Sequence, residues 1–331
     1  MVTRKISNTP DIIPGRPTVI TTLAAIGSLW SVYQLYNLAS LIYLNFLRPG
    51  SLDKYRQDAV PAWALITGAS DGIGKGFAEE LCARGFNVVL HGRNESKLQA
   101  VKDEFLKQWP QREIKLLVLD AEVGARSPSA LNSAVKQITN LNLKVLINNV
   151  GGSGGLKPAW KAFHQRTAEE TLKFIDLNTT FPTEITRTLL PQIIKNQPTL
   201  IMNIGSVTSE VPCAYGSVYS GTKAYIKAWS RSLSLEVKGE GHNVEVMGIL
   251  VGSVSSGSQP APITFFCPTS RCMARYSLDK VGCGKDVLWG YWPHHLEFGV
   301  IMSLPTAIMK KIILGYALEE KINEERDMKA Q

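Results

Sequence analysis

Tyr219 and Lys223 stand four residues apart in SVYSGTKAY, and Ser206 closes the apolar run LIMNIGS upstream of them. Four residues is about one turn of α-helix, so the phenol and the ammonium of such a pair share one face. An ammonium placed there can draw the phenol's pKa down from its reference near ~10 and make tyrosine a proton donor at neutral pH. That chemistry suits the reduction of a ketone. Hydride arrives at the carbonyl carbon, negative charge grows on the oxygen, and hydroxyl donors stabilise it without a metal. The same spacing also describes an ordinary i, i+4 pair on a solvated helix. Tyr276 and Lys280 repeat it in ARYSLDK with no serine closing a strand at a comparable distance, so the first pair needs an independent signal.

That signal lies in AWALITGASDGIGKGFAEELCARGFNVVLHGR. The apolar run from Ala62 to Ile66 reads as a buried parallel strand, followed by glycines at Gly68, Gly72 and Gly74 and an amphipathic helix through Leu81. Strand, tight turn and helix start together make a dinucleotide cradle. Glycines let the backbone approach a pyrophosphate, and the helix N-terminus offers unpaired N–H groups and the positive end of a dipole. A second strand, Phe86 to His91, ends at Gly92 and Arg93. A free ribose 2′-OH calls for a carboxylate at this place and a 2′-phosphate for a cation, so Arg93 favours NADPH over NADH. Arg93 as a solvated loop residue is the alternative. Asp120, at the end of the third strand IKLLVLD, could accept from the adenine amino group or serve as a strand-end turn residue.

With both halves in place, the chain resembles the short-chain dehydrogenase/reductase superfamily across about residues 60 to 255. The residues that carry the resemblance are TGASDGIG at 67–74, NNVG at 148–151, Asn178 in DLNTT, Ser206, Tyr219 and Lys223. It implies an α/β fold, a Rossmann-like doubly wound parallel sheet with NADP(H) at the carboxyl ends of the strands. Tyr219 would donate the proton, Ser206 hold the substrate oxygen, Lys223 bind the nicotinamide ribose and tune Tyr219, and Asn178 position a water linking Lys223 to solvent. Gly68, Ser70, Asp71, Gly72, Ile73, Gly74, Arg93, Asp120, Asn149 and Gly151 would line the cofactor. One region departs from the superfamily. After the sixth strand, VEVMGIL, the usual Pro-Gly and downstream Thr are replaced by VGSVSSG, leaving Val254 or a neighbouring backbone group to hold the carboxamide.

At 331 residues the chain exceeds one α/β domain, so three segments are expected: 1–60, 61–255 and 256–331. The first carries no charged residue from Pro17 to Leu47, long enough to cross a bilayer and too long for a cleavable signal, so a membrane anchor at about 18–47 is expected. An amphipathic interfacial helix is the alternative. Arg4, Lys5 and Arg16 before it balance Arg48, Lys54 and Arg56 after it, so charge does not set the topology. The need for NADPH argues for a catalytic domain on the cytosolic side. In the third segment SQPAPITFFCPTSRCMARYSLDKVG reads as a loop over the substrate, where Phe265 and Phe266 suit an apolar ligand or contact the domain or membrane. The apolar run Phe298 to Met309, broken by Pro305, is too short to span with ease and reads as a membrane-dipping helix or a substrate gate. Lys329 is at best a fragment of a dilysine retrieval signal.

The remaining features exclude more than they assign. The net charge of +8, from 36 basic and 28 acidic residues, suits an anionic membrane surface or substrate, and no nucleic-acid reader motif accompanies it. Cys82, Cys213, Cys267, Cys272 and Cys283 form an odd set without CxxC and read as reduced thiols. His294 and His295 lack companion ligands and read as interfacial rather than metal-binding. Asn94 and Asn178 match N-x-S/T inside the cofactor domain, where glycosylation is not expected. GGSGG at 151–155 mimics a linker but, following KVLINN, reads as an active-site rim.

FLRPGSLDKY, NNVGGS, YSGTKAYIKAWSRSLSLE and GYWPHHLEFGVIMSLP together resemble the microsomal very-long-chain 3-oxoacyl-CoA reductases of fungal type, kin of the membrane-bound 17-beta-hydroxysteroid dehydrogenases. The resemblance implies an endoplasmic reticulum enzyme reducing 3-oxoacyl-CoA in fatty-acid elongation, possible neighbours among other lipid-pathway enzymes, and basic groups at the pocket mouth for the CoA phosphates. A reductase of a steroid, sterol or terpenoid ketone is the second reading. A nonenzymatic membrane interaction module is the third, opposed by the complete set of Asn178, Ser206, Tyr219 and Lys223.

Overall fold

The computed structural model describes residues 16–330 apart from Asp58 and Ser258, so Arg4 and Lys5 of the charge balance lie outside the described residues. The apolar runs form β1 (Trp63–Thr67), β2 (Asn87–Gly92), β3 (Ile114–Val118), β4 (Leu143–Asn148), β5 (Thr199–Ile204), β6 (Val244–Leu250) and β7 (Val287–Trp289). They pair in parallel in the order β3-β2-β1-β4-β5-β6-β7. Parallel neighbours need crossovers, and helices supply them. In chain order the helices are α1 (Arg16–Ile42), α2 (Gly72–Ala83), α3 (Glu95–Gln108), α4 (Ala121–Arg126), α5 (Pro128–Lys136), α6 (Ala168–Ile175), α7 (Phe181–Lys195), α8 (Ser217–Gly239), α9 (Ser270–Leu278), α10 (Trp292–Ser303) and α11 (Thr306–Ala330).

Both faces of the sheet are covered, and strand alternation sorts the side chains between two cores. Ala64 and Ile66 of β1 join Phe77, Leu81, Phe105 and Met273 on one face, while Trp63 and Leu65 join Leu131, Ile185, Leu189 and Leu233 on the other. Strand order reverses between β1 and β4, so the crevice at their carboxyl ends is the place where such sheets take ligands. Local caps start the helices. Asn94 accepts from Lys97 N at 2.9 Å for α3, and Thr167 and Glu170 form a reciprocal capping box for α6.

The chain divides into two units, 1–49 and 50–331. The boundary therefore falls before the expected residue 60, because Leu52 and Tyr55 of the short 3-10 helix Leu52–Arg56 are buried in the core of the larger unit. Nor does the larger unit end at 255. The segment expected as a substrate loop contains α9, whose Met273, Ala274 and Leu278 are buried in the same core, and β7 then extends the sheet. A Cβ on Gly76 of α2 would lie 2.5 Å from the Ser270 carbonyl carbon, so α2 and α9 touch backbone to backbone.

In the smaller unit α1 continues through a π-turn, Tyr43–Leu47. Its stretch Thr18–Leu47 has mean hydropathy 1.3 and buries none of its residues, the one helix among the described residues long and apolar enough to cross a membrane. At the other end of the chain Pro305 separates α10 from α11, as expected of a residue that cannot continue the helix before it. Val300, Ile308, Ile312, Leu314 and Ile322 are exposed along this pair.

Candidate active site

The turn between β1 and α2 is built for close approach. Gly68 and Gly72 have φ of 68° and 58°, where a side chain is strained. A Cβ on Gly74 would overlap the Gly68 carbonyl oxygen and lie 2.5 Å from Asn149 Nδ2. Asp71 caps α2, accepting from Gly72 N at 2.6 Å, and is exposed, while Ser70 and Ile73 are half-buried beside it. Two residues the sequence reading did not single out hold the turn. Thr67 Oγ1 accepts from Asn149 N at 2.8 Å and Val150 N at 3.1 Å, and His91 Nδ1 faces Gly68 N at 3.4 Å beneath it. Asn149 Nδ2 donates to the carbonyls of Thr67 and Gly68, at 3.0 and 3.3 Å, so it braces the cradle from behind.

At the rim of this crevice Arg93 Nη1 lies 4.0 Å from Asp120 Oδ2, with the Arg93 side chain largely exposed. Asp120 Oδ1 accepts from Glu122 N at 2.8 Å, so Asp120 takes the turn role as the cap of α4 and leaves its other oxygen facing Arg93. A glycine-lined cradle with the Arg93 guanidinium at its edge fits the phosphates of a dinucleotide.

The second half assembles at the carboxyl ends of β4 and β5. Between α6 and α7 the residues Asp176–Thr180 widen into a π-turn, which turns Asn178 inward. Its Oδ1 accepts from Gly152 N and its Nδ2 donates to the carbonyls of Gly152 and Phe174, each at 2.9 Å. A Cβ on Gly151 would lie 2.6 Å from Asn178 Oδ1 and 3.1 Å from Lys223 Nζ, so these two groups flank one glycine. Lys223 is buried and donates to the Ile204 carbonyl at 3.0 Å, with Nζ 5.6 Å from the centre of the Tyr219 ring. Ser206 follows β5 and faces the Tyr219 hydroxyl, while Thr208 donates to Ser206 Oγ at 3.1 Å. The four expected catalytic side chains are thus gathered in one place.

Their electrostatics differ from the expectation in one respect. Burial pushes the Tyr219 phenol up, and the facing Ser206 hydroxyl only partly opposes it, so the ammonium does not bring the phenol toward neutral pH. Lys223 shows the lowering instead, from 10.5 to about 8, because burial disfavours its charge. Holding that ammonium charged at pH 7 costs the fold roughly 3 kcal/mol. The penalty is relieved as pH rises from 8 to 10.5, because the folded chain releases the proton before the unfolded chain does. Catalysis runs the other way. The value of kcat/KM for ketone reduction is expected to fall about tenfold per pH unit above pH 8 as Lys223 loses its charge, with no limb there from Tyr219. Lys280 is also lowered to about 8. Replacing Lys280 by glutamine should leave the limb in place, and a limb that disappears with it would assign the titration to the wrong lysine.

Lys280 itself is structural. It is buried and donates to the carbonyls of Gly290 at 2.6 Å and Tyr276 at 3.3 Å, tying α9 to the turn after β7. Val254 is buried in the core, so only its backbone can face the crevice. Phe265 and Phe266 form an exposed T-shaped pair, and Phe265 meets Trp292 at 5.2 Å. His294 corrects the expectation of an interfacial residue. It is fully buried, as its hydrogen bonds to the loop after β6 require, while His295 stacks on Trp289 at 5.7 Å. All five cysteines are free, and no cluster of three or more His, Cys, Asp or Glu side chains that could hold a metal occurs among the described residues.

The remaining wall comes from α11, whose first residues belong to the run read as a membrane-dipping helix or a substrate gate. Glu324 accepts from Ala159 N at 2.7 Å and Trp160 N at 2.9 Å, the Trp160 ring meets Tyr316 edge-on, and Lys321 lies 5.1 Å over the Tyr215 ring. The Tyr316 hydroxyl faces Ser253 and Glu320, and burial pushes its pKa up to about 12. Arg166 joins the same rim, donating to the carbonyls of Ala159 and Tyr215. No local pattern in the sequence links residues so far apart.

A family model described as short chain dehydrogenase matches residues 62–261. The chain is 31% identical over 282 residues to a very-long-chain 3-oxoacyl-CoA reductase of Caenorhabditis briggsae, covering 83% of this chain and 87% of that one. It is 32% identical over 289 residues to a very-long-chain 3-oxoacyl-CoA reductase of Coprinopsis cinerea, covering 85% and 83%. A solved short-chain dehydrogenase from Sphingobium yanoikuyae in complex with NADPH superposes with a TM-score of 0.59 at 26% identity, over 75% of this chain and 98% of that one.

Proposed function

Because this chain belongs to the short-chain dehydrogenase family, we propose that it reduces a long-chain 3-oxoacyl-CoA to the 3-hydroxyacyl-CoA with NADPH, held at a membrane by α1. The observation that carries the substrate is the match, over more than four-fifths of the chain, to relatives bearing that name. An endoplasmic reticulum membrane with the catalytic unit in the cytosol is the location this reading assigns.

The residues divide the work. Gly68 to Gly74 would receive the pyrophosphate, Arg93 the 2′-phosphate, and Lys223 with Tyr219 the nicotinamide ribose. A reduced nicotinamide bound there supplies hydride to the substrate carbonyl carbon. Ser206 Oγ and the Tyr219 hydroxyl then hold the carbonyl oxygen, and Tyr219 gives it the phenolic proton. Lys223 stabilises the charge left on the phenol, and Asn178 Oδ1, beside Lys223 Nζ at Gly151, is placed to hold a water that returns the proton. The exposed apolar residues of α10 and α11 suit a substrate that arrives from a lipid surface, and Lys321 on the rim suits the CoA phosphates.

Detergent-solubilised protein should oxidise NADPH, and NADH far more slowly, when given a 3-oxoacyl-CoA of long chain. Sterol and steroid ketones run beside it. Oxidation with those ketones and none with the thioester would replace the acyl-CoA reading.

A further inference from the structure

The loop after β6 lacks the proline that holds this turn elsewhere in the family, and something else must fix its backbone. His294, in the first turn of α10, meets it with every polar atom of its ring. Nδ1 accepts from Gly252 N at 3.1 Å, and Nε2 lies 3.0 Å from the Ser253 carbonyl and 3.1 Å from the Phe266 carbonyl. Only one tautomer satisfies all three partners: Nδ1 bare and Nε2 carrying the proton shared by the two carbonyls. The contact is close. A Cβ on Gly252 would lie 2.9 Å from the ring, and Tyr291 closes the other side edge-on at 5.2 Å.

The loop so fixed is continuous with the catalytic serine. Val207 N donates to the Val251 carbonyl at 2.9 Å, one residue from Ser206 on one strand end and one from Gly252 on the other. Ser253 faces the Tyr316 hydroxyl, so the same loop borders the rim. His91 stands in the corresponding position under the first glycine turn, facing Gly68 N through its own Nδ1. Burial keeps both imidazoles neutral, which an acceptor Nδ1 requires.

We infer that His294 is the positioning residue for the nicotinamide side of the site, setting the Gly252–Ser253 backbone against the cofactor in place of the missing proline. This rests on the dinucleotide reading above, but not on the identity of the ketone. By clamping Phe266 as well, His294 ties the substrate-side loop to the cofactor-side loop through one ring.

The test compares His294→Phe, His294→Asn and Gly252→Ala with the unaltered full chain. Phenylalanine keeps the ring and loses all three hydrogen bonds; asparagine keeps an acceptor near Nδ1; alanine at 252 presses its Cβ against the ring and displaces the loop while the histidine itself is retained. Amide hydrogen exchange of ligand-free protein should rise at least about tenfold across 251–256 in His294→Phe and Gly252→Ala and stay unchanged across β2. With whichever ketone the unaltered protein reduces, kcat should fall at least about tenfold with a larger isotope effect from 4-deuterated NADPH, while NADPH affinity changes less than about threefold. His294→Asn should recover much of the rate. Unchanged exchange and rate in both His294→Phe and Gly252→Ala would overturn the role. So would a parallel loss of melting temperature, cofactor affinity and rate that asparagine does not repair, which would mark His294 as a core residue only. Should His294→Phe not fold, Gly252→Ala carries the same comparison. Failure to reduce an acyl-CoA would overturn the proposed substrate and leave the exchange result standing.

Discussion

Replacing Tyr219 by phenylalanine should lower ketone turnover by about a thousandfold or more while NADPH affinity stays within a few-fold. The substitution removes one oxygen, the group that both donates a hydrogen bond to the carbonyl oxygen and delivers its proton. Loss of a positioned acid typically costs ~10²–10⁴ in rate, and a lost donor to the developing charge ~10²–10³, though groups acting together are not additive. The ring stays, so the packing of α8 is kept. Burial pushes this phenol up and so holds its proton at neutral pH. Turnover within tenfold of the unaltered protein would remove Tyr219 from the proton step, and an equal loss of NADPH affinity would mark it as a binding residue instead.

The second large effect belongs to Gly74→Ala, which should weaken NADPH binding more than about a hundredfold. The new methyl would overlap the Gly68 carbonyl oxygen and press on Asn149 Nδ2, and neither can yield. The carbonyl is backbone, and Asn149 is held by two hydrogen bonds to the turn. The start of α2 must then retreat from β1, spoiling the cradle that the turn exists to make. Gly221, in α8 between Tyr219 and Lys223, is the control. A Cβ there has nothing within 4 Å, so Gly221→Ala should bind cofactor normally and gain up to about 1 kcal/mol of stability from helix propensity. Titration of NADPH by protein fluorescence and a melting curve decide both cases. Equal affinity in the two variants would deny the turn its role.

Much of this site was legible because its parts are local. Parallel strands buried on both faces read as plain apolar runs, and six of the seven appear in the sequence within a residue or two of their observed bounds. The glycine turn and the Tyr219–Lys223 pair carry their geometry within a few residues. β7 has three residues at the sheet edge, too few to show any period. α9 was hidden by the polar and aromatic residues leading into it, though Thr269 at its start caps Cys272 N in the usual way. His294 misled because histidine beside histidine suggests a surface, whereas its ring is held by partners forty-one and twenty-eight residues away. The Tyr276–Lys280 pair teaches the complementary lesson. Lys280 is as buried as Lys223 and equally lowered, so a displaced pKa alone does not mark a catalytic lysine; a serine and an asparagine gathered beside it do.

The hydrogen bonds from Ala159 and Trp160 to Glu324 also have a meaning in time. The partners are separated by 165 residues of chain. At a synthesis rate of about 5–20 residues per second, the rim waits on the order of ten to thirty seconds for the carboxylate that will hold it. By then α1 has long emerged and the sheet from β1 to β6 has every strand it needs. The nascent protein therefore passes through a stage in which the cofactor cradle can be complete while the rim beside Tyr215 and Trp160 still lacks α11, which is delivered only after the strands.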